Sequence, residues 1–211
     1  GDIVDRGEQS LEVLQAVFYG SKAGTTYFVL GNHEAKLINS YDQYLNQGIV
    51  RGKSLSSAET FMKLLALPKE EQLSLIDFLR NSPISYCLHT DKNKNISLLS
   101  DESTMKFTFN HADNIYYNPY KTPYSYALYG NRSEDKDTDS LYEKNYELGI
   151  NKYIYFRGHV LETSKQNHIF SLEDNQAFNG NLVLLPFDKY IDKLYNNNWV
   201  STYKIFEDTI M

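Results

Sequence analysis

Two short glycine-flanked polar motifs, about thirty residues apart, constrain this chain more than any other feature. The first is Gly1-Asp2-Ile3-Val4-Asp5-Arg6-Gly7, and the second is Gly31-Asn32-His33-Glu34. Between them, residues 8–18 carry Leu11, Leu14, Val17 and Phe18 on one helix face, with Gly20 following as a stop. Tyr27-Phe28-Val29-Leu30 is then a short apolar run ending at Gly31, the pattern of a buried strand. Motif, helix, strand and motif make half of a βαβ unit. In such folds, polar residues at the carboxyl ends of strands line the active crevice.

The next stretch is helical. Leu37, Ile38, Tyr41 and Leu45 keep helical spacing over residues 34–48, and Phe61, Leu64 and Leu65 do so over 57–67. Pro68 opens a further helix that Ser82-Pro83 stops. Residues 34–82 therefore form a helical insertion between strand-borne motifs. Strand patterns follow at 84–88, 105–110, 153–156, 169–172 and 182–185, with an edge strand across Trp199, Tyr203 and Ile205. Residues 91–94 are a polar loop, residues 130–149 are polar and acidic and suit an exposed loop or a short helix, and no internal repeat is present. This alternation predicts an α/β fold.

A chain of 211 residues suits a single domain, here 1–211. The net charge of −6, from 21 basic and 27 acidic residues, draws it neither to anionic lipid nor to a long nucleic acid. The one cysteine, Cys87, excludes an internal disulfide and lies in an apolar run, the setting of a small core residue. A reducing compartment, the cytoplasm, fits that usage. No apolar stretch approaches the ~20 residues of a membrane helix. The chain opens directly in a motif expected to follow a buried strand, so a first strand is expected upstream of Gly1.

The chemistry gathers in histidines. Of five, three sit just after predicted strands in small-residue contexts: Asn32-His33, His111-Ala112 and Gly158-His159. A lone histidine is more often structural, but three at strand ends beside Asp2 and Asp5 shift the balance towards a site. Imidazole, carboxylate and amide oxygen together suit divalent manganese, iron or zinc. His89 and His168 lack that context and read as surface or half-buried residues. The tyrosines between 116 and 129 invite base stacking, but more often such a run covers half-buried surface.

The motif pair resembles the GDxVDRG and GNHE motifs of calcineurin-like metallophosphoesterases of the phosphoprotein phosphatase type. Later segments are similar to the same family. Asn110-His111-Ala112-Asp113 is like its HAG or HGG motif, Gly158-His159-Val160 like its GHT motif, and residues 171–182 like its closing strand pair. Lys36-Leu37, the helical insertion and Tyr126-Ala127-Leu128-Tyr129-Gly130 look closest to bacterial members, including the phosphatase domain of polynucleotide kinase-phosphatases.

The resemblance implies a four-layer α/β/β/α sandwich of two mixed sheets, with the first strand and the GDxHG motif lying before Gly1. Without that motif the first metal site would be incomplete and activity very low. The resemblance also implies two divalent ions, manganese first and iron or zinc as alternatives. Asp2, Asn32, His111 and His159 would be their ligands. His33 would protonate the leaving oxygen, Asp5 would orient it, and Arg6 and Asn32 would hold the phosphate. Asp113 and Val160 depart from the family's glycine and threonine, which bears on substrate fit more than on metal binding. Arg132 and Arg157 are candidates for a second phosphate-binding arginine, each weighed against a surface role.

The implied reaction is attack of a metal-activated hydroxide on a phosphomonoester, of the serine/threonine protein phosphatase type. The alternatives are a polynucleotide end-phosphatase or dinucleoside polyphosphate hydrolase, or a non-catalytic binding module on the same fold. The partner is accordingly a phosphorylated substrate, a phosphoprotein or a phosphorylated nucleotide or RNA end, and no membrane.

Overall fold

A computed structural model describes residues 1–49, 55–90, 96–97, 105–112, 124–130, 153–159, 169–172 and 183–196. The chain divides into two compact units, Gly1–Ile84 and Ser85–Met211.

The first unit is helical. Helix α1 spans Ser10–Lys22, α2 Asn32–Gln47, α3 Leu55–Leu65 and α4 Lys69–Asn81. Most of the apolar stripes read from the sequence are buried, Leu14 and Phe18 of α1, Leu37 and Tyr41 of α2, Phe61 and Leu64 of α3, but Leu45, near the end of α2, is exposed. In α4, Pro68 stands at the N-cap, where its missing N–H costs nothing. Glu70 and Glu71 in its first turn and Arg80 in its last complement the helix dipole. The buried Gln72 amide donates to the carbonyls of Leu65 and Leu67, at 3.1 and 2.8 Å, and so closes the turn between α3 and α4.

Two expectations fail in this unit. Gly20 does not stop α1, which runs two residues further to Lys22 and turns off at Gly24. Gly24 is left-handed at φ 71°, with its N–H on the Ser21 carbonyl and the Thr25 N–H on the Gly20 carbonyl. That pair of bonds is a Schellman ending, and only glycine takes its pivotal position without strain. Gly20 lies within the helix, where a Cβ would run into the Thr26 side chain. Residues 27–30 form no strand either. Phe28 and Leu30 are buried and the Leu30 N–H reaches the Pro83 carbonyl at 2.9 Å, but these residues join no strand ladder.

The second unit holds a five-stranded mixed sheet of order β2-β1-β3-β4-β5. The strands are β1 Ser85–Thr90, β2 Ile96–Ser97, β3 Met105–Asn110, β4 Tyr153–Arg157 and β5 Ile169–Ser171. Strand β1 pairs antiparallel with β2 and β3, whereas β3, β4 and β5 run parallel. Helix α5 covers Tyr124–Tyr129, and helix α6, Phe187–Asn196, lies on the sheet. Phe107, Ile154, Phe156 and Phe170 point to one face and meet Tyr190, Ile191 and Leu194 of α6. Thr108 and Tyr155, on the opposite face, are also buried, so the central strands are covered on both sides.

Residues 183–185 form no strand but lead into α6, which the sequence analysis missed. Its Phe187, Tyr190, Ile191 and Leu194 nevertheless follow helical spacing after Pro186. The proposed edge strand at 199–205, the polar stretches at 91–94 and 131–149, the closing pair beyond Leu172, and Asp113, Arg132, Val160 and His168 lie outside the described residues. Cys87 is buried in β1, and burial pushes its thiol up, as expected of an inert core cysteine.

His89, read from sequence as surface or half-buried, is buried in β1. Its Nδ1 finds no hydrogen-bond partner among the described residues. Burial first, and then the Lys106 ammonium paired across the ladder, hold the imidazole below the ordinary histidine range. The unfolded chain, titrating near ~6.5, thus takes up a proton that the folded chain refuses, and stability falls as pH drops through that value. His89→Leu removes this dependence. Thermal melts at about pH 7.5 and about pH 5.5 are expected to show a larger acid loss for the wild type than for His89→Leu. Equal losses would contradict the assignment.

Candidate metal centre

The first motif is built from backbone that few side chains tolerate. Asp2, Asp5 and Arg6 all take positive φ, at 58°, 68° and 62°. Left-handed backbone costs roughly 1–2 kcal/mol per non-glycine residue. Something must hold this segment, and Glu34 supplies it. Its carboxylate is completely buried in the first turn of α2. One oxygen, Oε2, accepts the Asp2 and Gly31 N–H groups at 2.8 and 2.9 Å. The other, Oε1, accepts those of Ile3 and Val4 at 2.8 and 3.1 Å. Gly31 is required for closeness: a Cβ there would overlap the Asp2 backbone nitrogen and carboxylate.

This clasp brings the two motifs together. The His33 N–H donates to Asp2 Oδ1 at 3.0 Å. The His33 ring sets Nδ1 at 2.7 Å from Asp5 Oδ2, and the Asp5 side chain is only 4% exposed. An ionised carboxylate only accepts, so Nδ1 carries the hydrogen in this pair. The other ring nitrogen, Nε2, stands 3.9 Å from Asp2 Oδ2. Asn32 is buried beside them at the start of α2, whereas Arg6 is exposed. The unit therefore assembles a histidine of fixed orientation, a backing carboxylate and a second carboxylate aimed at the same ring.

In the second unit, parallel pairing does the positioning. Strands β3 and β4 are neighbours in register, Phe109 opposite Phe156, so the chains leave the sheet side by side. His111 follows β3 and His159 follows β4. Their ring centroids lie 4.8 Å apart. The Gly158 N–H donates to the His111 carbonyl at 2.9 Å, and the Ala112 N–H to that of Ala127, also at 2.9 Å. His159 is held left-handed at φ 63°. Two imidazoles brought this close, one of them buried, form a pair of nitrogen donors of the kind divalent transition metals take. Arg157, considered for a surface role, is buried at the end of β4.

Of the predicted site residues, Asp2, Asp5, Asn32 and His33 belong to the first unit, and His111 and His159 to the second. The residue that sequence reasoning missed is Glu34. Its signal was the spacing Gly31-x-x-Glu34, a helix N-terminus followed by a glutamate that can turn back on it.

The profile of calcineurin-like phosphoesterases matches residues 1–206. The bis(5'-nucleosyl)-tetraphosphatase PrpE (asymmetrical) of Oceanobacillus iheyensis is 24% identical over 194 residues, which cover 89% of this chain and 72% of that protein. The protein of the same name from Halalkalibacterium halodurans is 32% identical over 96 residues, 44% of this chain and 37% of its own length. With the profile spanning both motifs and both strand-end histidines, the chain belongs to the calcineurin-like phosphoesterase family of phosphoester hydrolases.

Proposed function

We propose that this chain is the working part of a metal-dependent hydrolase of dinucleoside polyphosphates. The observation that carries the catalytic reading is the 2.7 Å bond between His33 Nδ1 and Asp5, which leaves Nε2 facing the Asp2 carboxylate. The substrate class is argued from the two tetraphosphatase relatives, one of them similar over 89% of the chain. The serine/threonine protein phosphatase type is the second reading, favoured by the GDIVDRG and GNHE motif pair.

In this reading Asp2, Asn32, His111 and His159 hold two divalent ions, manganese first, with iron or zinc as alternatives. The donor set of a carboxylate, an amide oxygen and two imidazoles fits such ions. When bound, they supply Lewis acidity at the phosphoryl group. Arg6 offers a planar fork of donors to phosphoryl oxygens, and Asn32 an amide. His33 delivers its Nε2 proton to the leaving oxygen as the phosphorus–oxygen bond breaks. Asp5 keeps the ring in that orientation and stabilises its cationic form. Both units belong to one domain of two facing mixed sheets in four α/β/β/α layers, with residues 34–82 as the helical insertion. No helix among the described residues is long and apolar enough to cross a membrane. The single cysteine suits the cytoplasm, the location proposed here.

The full-length protein with Mn²⁺ should split diadenosine tetraphosphate into two unequal nucleotides, with a kcat/KM above that for a phosphoserine peptide. The reverse preference would return the assignment to the protein phosphatase reading.

His33→Ala should lower kcat on phenyl phosphate by about 10²–10⁴, the usual worth of acid catalysis, and by less on p-nitrophenyl phosphate. The nitrophenolate leaves without a proton, so equal losses on the two esters would remove His33 from the role of acid.

A further inference from the structure

We infer that Glu34 is a positioning residue for the metal-binding carboxylate of Asp2, an inference that rests on the reading of Asp2 as a ligand. Capping α2 needs only its bond to the Gly31 N–H. The other three bonds serve a different purpose, because their donors are the consecutive N–H groups of Asp2, Ile3 and Val4. A left-handed residue among consecutive N–H groups turns them towards one anion, and Asp2 is such a residue at φ 58°. Such a concavity is a ready anion site, and here the chain fills it with its own buried carboxylate. The same turn sets where the Asp2 side chain points, with Oδ1 on the His33 N–H and Oδ2 towards the His33 ring. Gly31 completes the arrangement by letting Asp2 and Glu34 close over the helix start. The Asp2 carboxylate is therefore aimed before any ion arrives.

Glutamine in place of glutamate tests this without changing size. Each Glu34 oxygen accepts two N–H groups, so whichever way the amide is turned its NH₂ faces two donors. In the full-length protein, Glu34→Gln is expected to weaken Mn²⁺ binding, measured by calorimetry, by roughly 10–100-fold, the usual effect of losing an outer support of a metal ligand. Leu75→Ala, a core truncation in α4, serves as the control: it lowers the melting temperature and leaves Mn²⁺ affinity unchanged. A folded Glu34→Gln variant with wild-type Mn²⁺ affinity would overturn the inference.

Should that variant fail to fold, amide hydrogen exchange of the metal-free wild type decides. Protection of the Ile3 and Val4 amides without metal is expected, and protection that arises only when Mn²⁺ is added would overturn it. A wild type that binds no Mn²⁺ at all sinks the metal reading, and with it the role of Glu34 towards Asp2. The exchange data then show separately whether the clasp exists.

Discussion

One buried carboxylate holds the two motifs of the first unit together. Glu34 sits at the start of a helix, where the dipole favours its charge, and gathers four backbone N–H groups from two segments about thirty residues apart. A buried carboxylate is costly unless its lone pairs are met, and hydrogen bonds to a charged group contribute about 1.5–3 kcal/mol each. Those bonds are of the same order as the strain of three left-handed residues in the first motif. The site geometry follows from that balance. With Asp2 fixed, the His33 N–H has its acceptor, and with His33 at the first turn of α2, its ring reaches Asp5.

The second unit solves its positioning problem by other means. Its two histidines need no clasp, because parallel neighbours end at the same edge of the sheet and deliver them side by side. What this requires is a rigid register, and the aromatic packing provides it. Phe109 stacks on Phe156 with centroids 4.9 Å apart, and Phe187 meets Phe107 edge-on at 4.9 Å. Thr108 and Tyr155, buried behind them, resist a one-residue slip that would exchange the faces.

Much of this was legible in the sequence, and the failures have physical causes. The strand at 105–110 was legible because Met105, Phe107 and Phe109 alternate with the polar Lys106, Thr108 and Asn110. The helices of residues 34–82 were read because amphipathic periodicity survives over many turns. Residues 27–30 carry the same apolar signal as a strand, but pairing is a property of neighbours and not of the run itself. At Gly20 a local rule misled: glycine within a helix is tolerated, and the stop came where left-handed backbone was needed, at Gly24. Helix α6 is masked in the sequence by the apolar run 182–185 just before Pro186, which carries a strand's pattern. Among site residues, the chemistry-bearing side chains stood out by type, whereas Glu34 acts on backbone groups whose arrangement a sequence does not display.

In the proposed mechanism, Asp2 is a metal ligand of a phosphoester hydrolase. The most direct measurement is the manganese content of the full-length protein and of Asp2→Asn after loading and gel filtration, read alongside p-nitrophenyl phosphate hydrolysis. Asp2→Asn, still folded, is expected to lose bound manganese and hydrolysis together. Unchanged manganese content in the variant would contradict that role of Asp2.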